Sequence, residues 1–307
     1  MKLLKYLCIA FCAFALCACG DDNPIPSVPG NNGENNGGNN EGNDQNANSP
    51  ITRRMETPRV LTNGTTVLVS HSTTLKNGQS IVTYELEYDK NKYHSRWVAF
   101  RFDGNTRAQA TGRSDEPFTD DPSLSSTLFI GSKGFGSGYD RGHLCASADR
   151  LYSKEANEQT FYMSNMSPQL SSFNQGYWVT LENLVQTLGR NASFSDTLYV
   201  VKGGTIKDGQ IKGYINRSNG KKVAVPQYYY MALLKVKNGG YSSIAFWMEH
   251  KEYGYDYKNK APKSEIKKTA ISVNQLESLT GIDFFPNLPD ASEEKIEDQN
   301  VPSVWGL

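Results

Sequence analysis

From Ser80 to Tyr88 the chain reads SIVTYELEY, and Val82, Tyr84, Leu86 and Tyr88 alternate with Thr83, Glu85 and Glu87. A period of two matches the pleat of a half-buried β-strand, with one side set toward a core and the other toward water, and it excludes a helix. Residues 96–102 (RWVAFRF) alternate in the same way and run into Asp103-Gly104, a turn pair. Three more aromatic or β-branched runs, 197–202, 226–236 and 241–249, read as strands, in keeping with the 17 Tyr and 13 Phe of the chain. Helical periodicity is rarer. From Asn174 onward, Tyr177, Trp178, Leu181, Leu184, Val185 and Leu188 share one helical face, and Gly189 sits where a C-terminal cap belongs. A second short helix is predicted over 273–280, opened by a Ser272/Gln275 capping box and ended by Gly281. The fold class is therefore α+β, a central, mostly antiparallel sheet flanked by helices.

The N-terminus is set apart from this fold. Lys2 and Lys5 precede an apolar run, residues 6–18, that is too short to span a bilayer comfortably. The run ends in Leu16-Cys17-Ala18-Cys19-Gly20, which reads as a bacterial lipobox with Cys19 as the lipidated first residue, although Cys17 is an uncommon residue inside such a box. An ordinary signal peptide or a single apolar anchor is the alternative. The lipoprotein reading is favoured because residues 21–50 are rich in Asn, Gly, Asp and Pro, and cannot bury enough apolar surface to offset their ordering entropy. The expected organisation is a signal peptide over 1–18, an acylated cysteine with a disordered tether over 19–50, and one folded domain over 52–307. Such a protein would be exported and held on a membrane, at the outer membrane or cell surface. Of the five cysteines only Cys145 then falls in the domain, so no internal disulfide and no cysteine-based zinc site is expected. The chain carries 32 basic and 32 acidic residues, but residues 1–50 hold two of the former and five of the latter, leaving the domain an excess of three positive charges. That is well short of the basic footprint of a dedicated nucleic-acid-binding protein.

Chemistry concentrates between residues 139 and 182. Asp140, Arg141, Gly142 and His143 are consecutive in YDRGHLCASADR. A neutral imidazole can take a proton from water near pH 7, and a guanidinium matches the oxygens of a phosphoryl group. An Arg-Gly-His triplet alone is equally what a surface loop with a hydrogen-bonded histidine would contain. The next segment, FYMSNMSPQLSSFNQGYWVTLE over 161–182, adds Ser164-Asn165, Pro168-Gln169, Asn174-Gln175, Trp178 and Glu182 in order. Together the two segments resemble the non-specific DNA/RNA endonuclease family of the ββα-metal (His-Me finger) type, endonuclease G-like, through its Asp-Arg-Gly-His, Ser-Asn-x-x-Pro-Gln and Asn-Gln-x-x-Trp motifs. The likeness is close from Arg113 to Glu182 and general elsewhere, up to Gly-Ile-Asp-Phe-Phe-Pro-Asn at 281–287.

The resemblance implies a ββα-metal nuclease core and a hydrolase that cuts phosphodiester bonds in DNA and RNA. It implies His143 as general base, and Arg141 and Arg113 as phosphate-holding groups, the latter assigned from GRSDEPFTDDP. It further implies Asn174 as the one direct protein ligand of a Mg2+ ion (or Mn2+, or another divalent cation), Glu182 as the group that orients metal-bound water, and Asp140, Asn165 and Gln169 as supports. A hard ion that keeps most of its water is compatible with one amide ligand. In a regular helix Glu182 would lie ~12 Å along the axis from Asn174 and be rotated by roughly 80° from it.

Individual residues also admit plainer roles. Asn174 suits an N-cap, alone or together with a ligand role; Trp178, Leu181 and Val185 suit a core; Glu182 by itself suits a solvated helix face. Cys145 reads as a small packed hydrophobe, and His71, His94 and His250 as structural or surface residues. Two other functions compete: a sequence-specific or DNA-only nuclease, and a non-catalytic surface nucleic-acid-binding lipoprotein with a nuclease-like fold. No reading module such as a zinc finger is evident, and both His143 and Asn174 are present. Because the tether carries no residue suited to the chemistry, a domain lacking residues 1–50 is expected to cut DNA at the rate of the full mature protein. A marked loss of rate on the same DNA would show that the tether does more than display the domain.

Overall fold

The computed structural model describes residues 48–49, 52–115, 117–136 and 138–307. The expected signal peptide, Cys19 and the tether up to residue 47 lie outside the described residues. Three strands come first, β1 (Thr66–Thr74), β2 (Ser80–Asp89) and β3 (His94–Phe102). A hairpin follows, β4 (Tyr139–His143) and β5 (Met166–Leu170), with α1 (Lys154–Gln159) in its long connection. The chain is then helical from residue 171: Phe173–Trp178 form a π-helical turn that continues into α2 (Val179–Arg190). Next come β6 (Thr197–Gly204), a side hairpin of β7 (Ile211–Asn216) and β8 (Lys222–Pro226), and the long pair β9 (Tyr228–Lys237) and β10 (Gly240–Glu249). The chain closes with α3 (Lys263–Lys267), β11 (Ala270–Ile271), α4 (Val273–Thr280) and α5 (Asp290–Glu297). Seven strands build one antiparallel sheet in the order β1-β2-β3-β6-β9-β10-β11. Among the described residues no helix is long and apolar enough to cross a membrane.

The predicted strands all form, and α4 has the cap read from sequence: Ser272 accepts from Gln275 N, Gln275 answers to Ser272 N, and Gly281 ends the helix at φ 70°. Burial on the sheet differs from the half-buried expectation. Along β9, Tyr229, Met231 and Leu233 enter one core while Tyr230, Ala232 and Leu234 enter a second on the opposite face. The first core lies under α2 and the second under α4 and α5. The polar side of β2 is therefore covered as well. Glu87 is fully buried and accepts from Leu61 N and Thr66 Oγ1 at 2.8 Å and from Trp97 Nε1 at 3.0 Å, beside the Arg96 guanidinium. Carboxylates tolerate such burial only when bonded in this way.

Two local expectations also change. Asn48, placed in the tether by composition, is buried: its side chain donates to Thr57 O and Pro58 O and accepts from Val60 N, and its N–H donates to Asn287 Oδ1. The folded part thus begins before residue 52, and removing residues 1–50 takes away the Asn48 anchor as well as the tether. Gly189 is not a cap, since α2 runs on to Arg190. It lies against the Phe102 ring, where a Cβ would come within 2.3 Å of Cδ2. Gly-to-Ala in a helix normally stabilises by up to ~1 kcal/mol, whereas forcing extra volume into a packed core costs about 1–3 kcal/mol. Gly189→Ala is expected to lower the urea unfolding midpoint; a raised midpoint would mean that propensity outweighs the Phe102 contact.

Candidate active site

The strand that ends in His143 is positioned by its partner. In the β4–β5 hairpin Asp140 pairs with Gln169, Gly142 with Ser167 and His143 with Met166. Gln169 packs its side chain across Gly142, where a Cβ would lie 2.2 Å from Gln169 Oε1, so a larger residue there would displace the Gln169 side chain. Just beyond His143 the buried Asn165 side chain brackets Cys145, accepting from its N–H and donating to its C=O, both at 2.8 Å, and donates to Thr160 O as well. Cys145 is a free, buried thiol whose burial pushes its pKa up, in line with a packing role. Asn165 and Gln169 are thus both buried behind the His143 strand.

The hairpin is tied to the central sheet by residues that carried no motif. His250 donates from Nδ1 to Pro226 O and accepts Leu170 N–H on Nε2, both at 2.8 Å. The Ser167 hydroxyl lies 2.6 Å from His94 Nε2 and 2.6 Å from the Tyr229 hydroxyl, which itself donates to Pro168 O. His71 is bonded to Asp121 at 2.9 Å. All three of these histidines are buried, so the structural reading holds and the surface reading does not.

The helix carrying Asn174 meets the hairpin through Asp140. Its carboxylate accepts from Ser171 Oγ at 2.8 Å, Asn174 Nδ2 at 2.9 Å and Gln175 Nε2 at 2.7 Å. Because the Asn174 amide nitrogen is engaged by Asp140, its oxygen is the atom left for the cleft. Asn174 is not an N-cap, for helical geometry begins at residue 171. The π turn also corrects the spacing to Glu182. A π turn accommodates one extra residue, so the eight-residue interval behaves roughly like seven, about two full turns, and the two side chains fall within ~20° of one another instead of 80°.

One cleft of about 560 Å³ is lined by Arg113, Asp140, Arg141, His143, Asn174 and Glu182. Two phenylalanines order its cations. The Arg141 guanidinium lies 3.7 Å over the Phe118 ring and the Arg113 guanidinium 4.7 Å over the Phe161 ring. Both rings also flank His143, Phe161 edge-on at 5.4 Å and Phe118 at 5.8 Å. Arg113, assigned from GRSDEPFTDDP, thus shares the cleft and the Phe161 ring with His143. The His143 Nε2 atom is buried without a hydrogen-bond partner. Burial, then the charges of Arg113, Lys202 and Arg141, hold the imidazole's pKa down to about 3, so the ring is neutral at physiological pH. Glu182 accepts from Trp178 Nε1 at 3.1 Å and is no freely solvated helix residue; burial, opposed mainly by Lys202, raises its pKa to about 7.

Among the described residues no group of three or more His, Cys, Asp or Glu could hold a metal ion. A cation that took most of its shell from water would still find the Asn174 amide oxygen and the Glu182 carboxylate on one wall, and this donor set suits a hard divalent ion. Sequence reasoning missed Phe118, Gln186, Tyr257 and Lys260, which share the cleft. In the sequence Gln175 is only a motif letter and Phe161 carries no signal.

A family model described as DNA/RNA non-specific endonuclease matches residues 64–291. A nuclease of a Nostoc species is 29% identical over 229 residues, 70% of this chain and 77% of its own length. Mitochondrial endonuclease G of Bos taurus is 30% identical over 228 residues, 68% of this chain and 69% of its own. Human mitochondrial nuclease EXOG is 29% identical over 223 residues, but the match spans only 57% of that relative. A solved structure of an EndoG/EndoGI complex aligns with a TM-score of 0.55 and 24% identity over 71% of this chain and 87% of that one, a likeness of fold.

The imidazole pKa leads to a direct check. With its folded value depressed to about 3, His143 binds no proton between the ordinary histidine range and that value, whereas the unfolded chain does, so lowering the pH through this window disfavours the fold. In the metal-free protein the His143 ring resonances are expected to stay those of neutral imidazole from pH 8 to about pH 4. Titration of this ring near pH 6.5 would show that it is solvated instead of enclosed by its two phenylalanines.

Proposed function

The chain belongs to the DNA/RNA non-specific endonuclease family and is a phosphodiester hydrolase, and on that premise we propose that it cuts both DNA and RNA without selecting sequence or sugar, with His143 as general base and one Mg2+ ion held by Asn174. The observation that carries this reading is the convergence, in a single cleft, of a neutral imidazole, two ring-stacked guanidiniums and a free amide oxygen.

His143 takes the proton of the attacking water. Its neutrality at pH 7 makes it an acceptor, and an entering phosphate offsets the charges of Arg113 and Arg141 that depress its basicity, so the base strengthens when substrate is present. The two guanidiniums receive the negative charge that builds on the phosphoryl oxygens. Stacking on Phe118 and Phe161 fixes them beforehand, so little reorganisation is needed during the step. Asp140 holds the Asn174 amide in the orientation that leaves its oxygen free. Asn174 would hold the ion and Glu182 would face its water; when bound, Mg2+ (or Mn2+ or another divalent cation) supplies charge stabilisation at the phosphate and the leaving oxygen. Groups suited to phosphate rather than to base edges support a broad substrate range. The lipobox-like Leu16–Gly20 segment and the Asn/Gly-rich stretch support display of the domain on the outer membrane or cell surface through a lipid on Cys19.

The test is single-turnover cleavage of DNA and RNA by wild type, His143→Ala, Asn174→Ala and the double variant across a magnesium titration. His143→Ala is expected to lose ~10²–10⁴-fold in rate with a small change in affinity. Asn174→Ala should lose a comparable factor that high magnesium partly restores, and the two losses should be far from additive because both act in one step. A near wild-type rate for His143→Ala on either polymer would end the mechanism. No cleavage by any form, with binding retained, would favour a non-catalytic binding protein. A metal-bound structure with two ions about 4 Å apart would end the one-metal reading.

A further inference from the structure

On the rim of the cleft, residues 251–262 read KEYGYDYKNKAP, three tyrosines spaced by two and flanked by Lys251, Lys258 and Lys260. Two of the tyrosines dock the segment. The Tyr253 ring stacks on Tyr177 at 4.1 Å with 21° between planes, and Tyr255 lies against Tyr177 at 6.3 Å. The backbone docks too. Gly176 has no Cβ where Tyr255 C would be only 2.4 Å away, Ala261 N–H donates to Gly176 O at 2.7 Å, and Thr180 Oγ1 donates to Ala261 O at 2.9 Å. Between these anchors Asp256 closes a tight turn, accepting from Lys258 N and Asn259 N at 2.8 Å, while its own N–H donates to Asn259 O.

The third tyrosine, Tyr257, sits in this turn and is treated differently. It is 63% exposed and lines the catalytic cleft together with Lys260. Its ring has one neighbour of note, the Lys258 ammonium 5.5 Å from the centroid. A single exposed aromatic is ordinary on a protein surface. This one is held by a braced turn, docked on the same π turn that carries Asn174, with a lysine on the cleft beside it. Aromatic faces flanked by cations are what unpaired bases stack on, and the stacking tolerates any base.

Building on the nuclease reading above, we propose that Tyr257 is a stacking platform for an unpaired base next to the scissile phosphate, with Lys260 holding an adjacent phosphate, so that the cleft favours single-stranded DNA and RNA over duplex. A base inside a duplex has both faces covered by its neighbours and cannot use the ring without leaving the stack. A broad nuclease thereby gains a preference for strand form with no readout of sequence.

The experiment measures binding in EDTA, by fluorescence anisotropy, of a labelled oligothymidylate and a labelled mixed-sequence duplex to wild type, Tyr257→Ala, Tyr257→Phe, Tyr257→Leu and Lys260→Gln. Tyr257→Ala is expected to weaken oligothymidylate binding about fivefold or more relative to duplex. Tyr257→Phe should restore the contrast and Tyr257→Leu should not. Lys260→Gln should weaken both ligands and reduce the salt slope of each by about one phosphate contact. Equal losses on the two ligands, no loss on either, or a Tyr257→Leu protein that binds like wild type would overturn the proposal. Duplex affinity read from the same preparations reports on folding. A wild-type protein that binds but never cuts would remove the nuclease reading while leaving the strand contrast fully readable.

Discussion

The Asp140 carboxylate joins the His143 strand to the helix that follows, together with the Ser171 N–Gly138 O and Trp178 Nε1–His143 O bonds. It sits on the first half of the His143 strand and accepts hydrogen bonds from Ser171, Asn174 and Gln175 at the start of the following helix. A carboxylate has acceptor sites for all three, and bonds to an ionised acceptor are stronger than neutral ones. His143 and Asn174 are thereby set at one separation. The same contact chooses which end of the Asn174 amide faces the cleft. Everything proposed for the chemistry depends on that choice.

Beneath this joint the protein buries charge. Lys202, from the central sheet, pairs with Asp149 at 2.7 Å, and both side chains are fully buried. Asp149 also accepts from Ala146 N and from Gln186, so the segment after His143 is pinned both to the sheet and to α2. Removing one partner of such a pair would leave an uncompensated charge, which costs about 3–5 kcal/mol. The Lys202 charge reaches the cleft as well, lowering the pKa of His143 and opposing the rise at Glu182. A rigid, charged floor of this kind suits a site that must meet a polyanion without rearranging.

The sheet provides the rigidity. With cores on both faces, each strand is held by packing from two sides, and the β4–β5 hairpin leans on it through His94, His250 and Tyr229. Groups on the cleft wall add ring contacts to this, with Arg141 also donating to Ser132 O. Arg113 and Arg141 rest on ring faces, and Tyr257 stands in a braced turn with its ring open to solvent. Buried polar contacts thus fix the floor of the cleft, while ring contacts shape its walls.

The strands, the capped helix α4 and the order of the motif residues were legible in the sequence because each depends on neighbours a few positions away: alternation, a capping box, a run of polar letters at set spacing. The side on which a strand is buried was not, since Glu85 and Glu87 read as solvent-facing until Arg54, Thr57, Leu61 and Thr66 bond to them. Nor was the π turn, which is accompanied by the close approach of Tyr255 to Gly176 from far along the chain and which brings Asn174 and Glu182 onto one face. The roles of Phe118, Phe161 and the three motif-free histidines, and the place of Tyr257 on the cleft, depend on equally distant contacts. By itself the sequence determined which chemical groups the protein owns and the local elements that carry them. Only the tertiary structure decided which of those groups share a cavity, which are buried, and which way an amide or a ring faces, because burial and hydrogen-bond direction are set by residues that sequence order keeps apart.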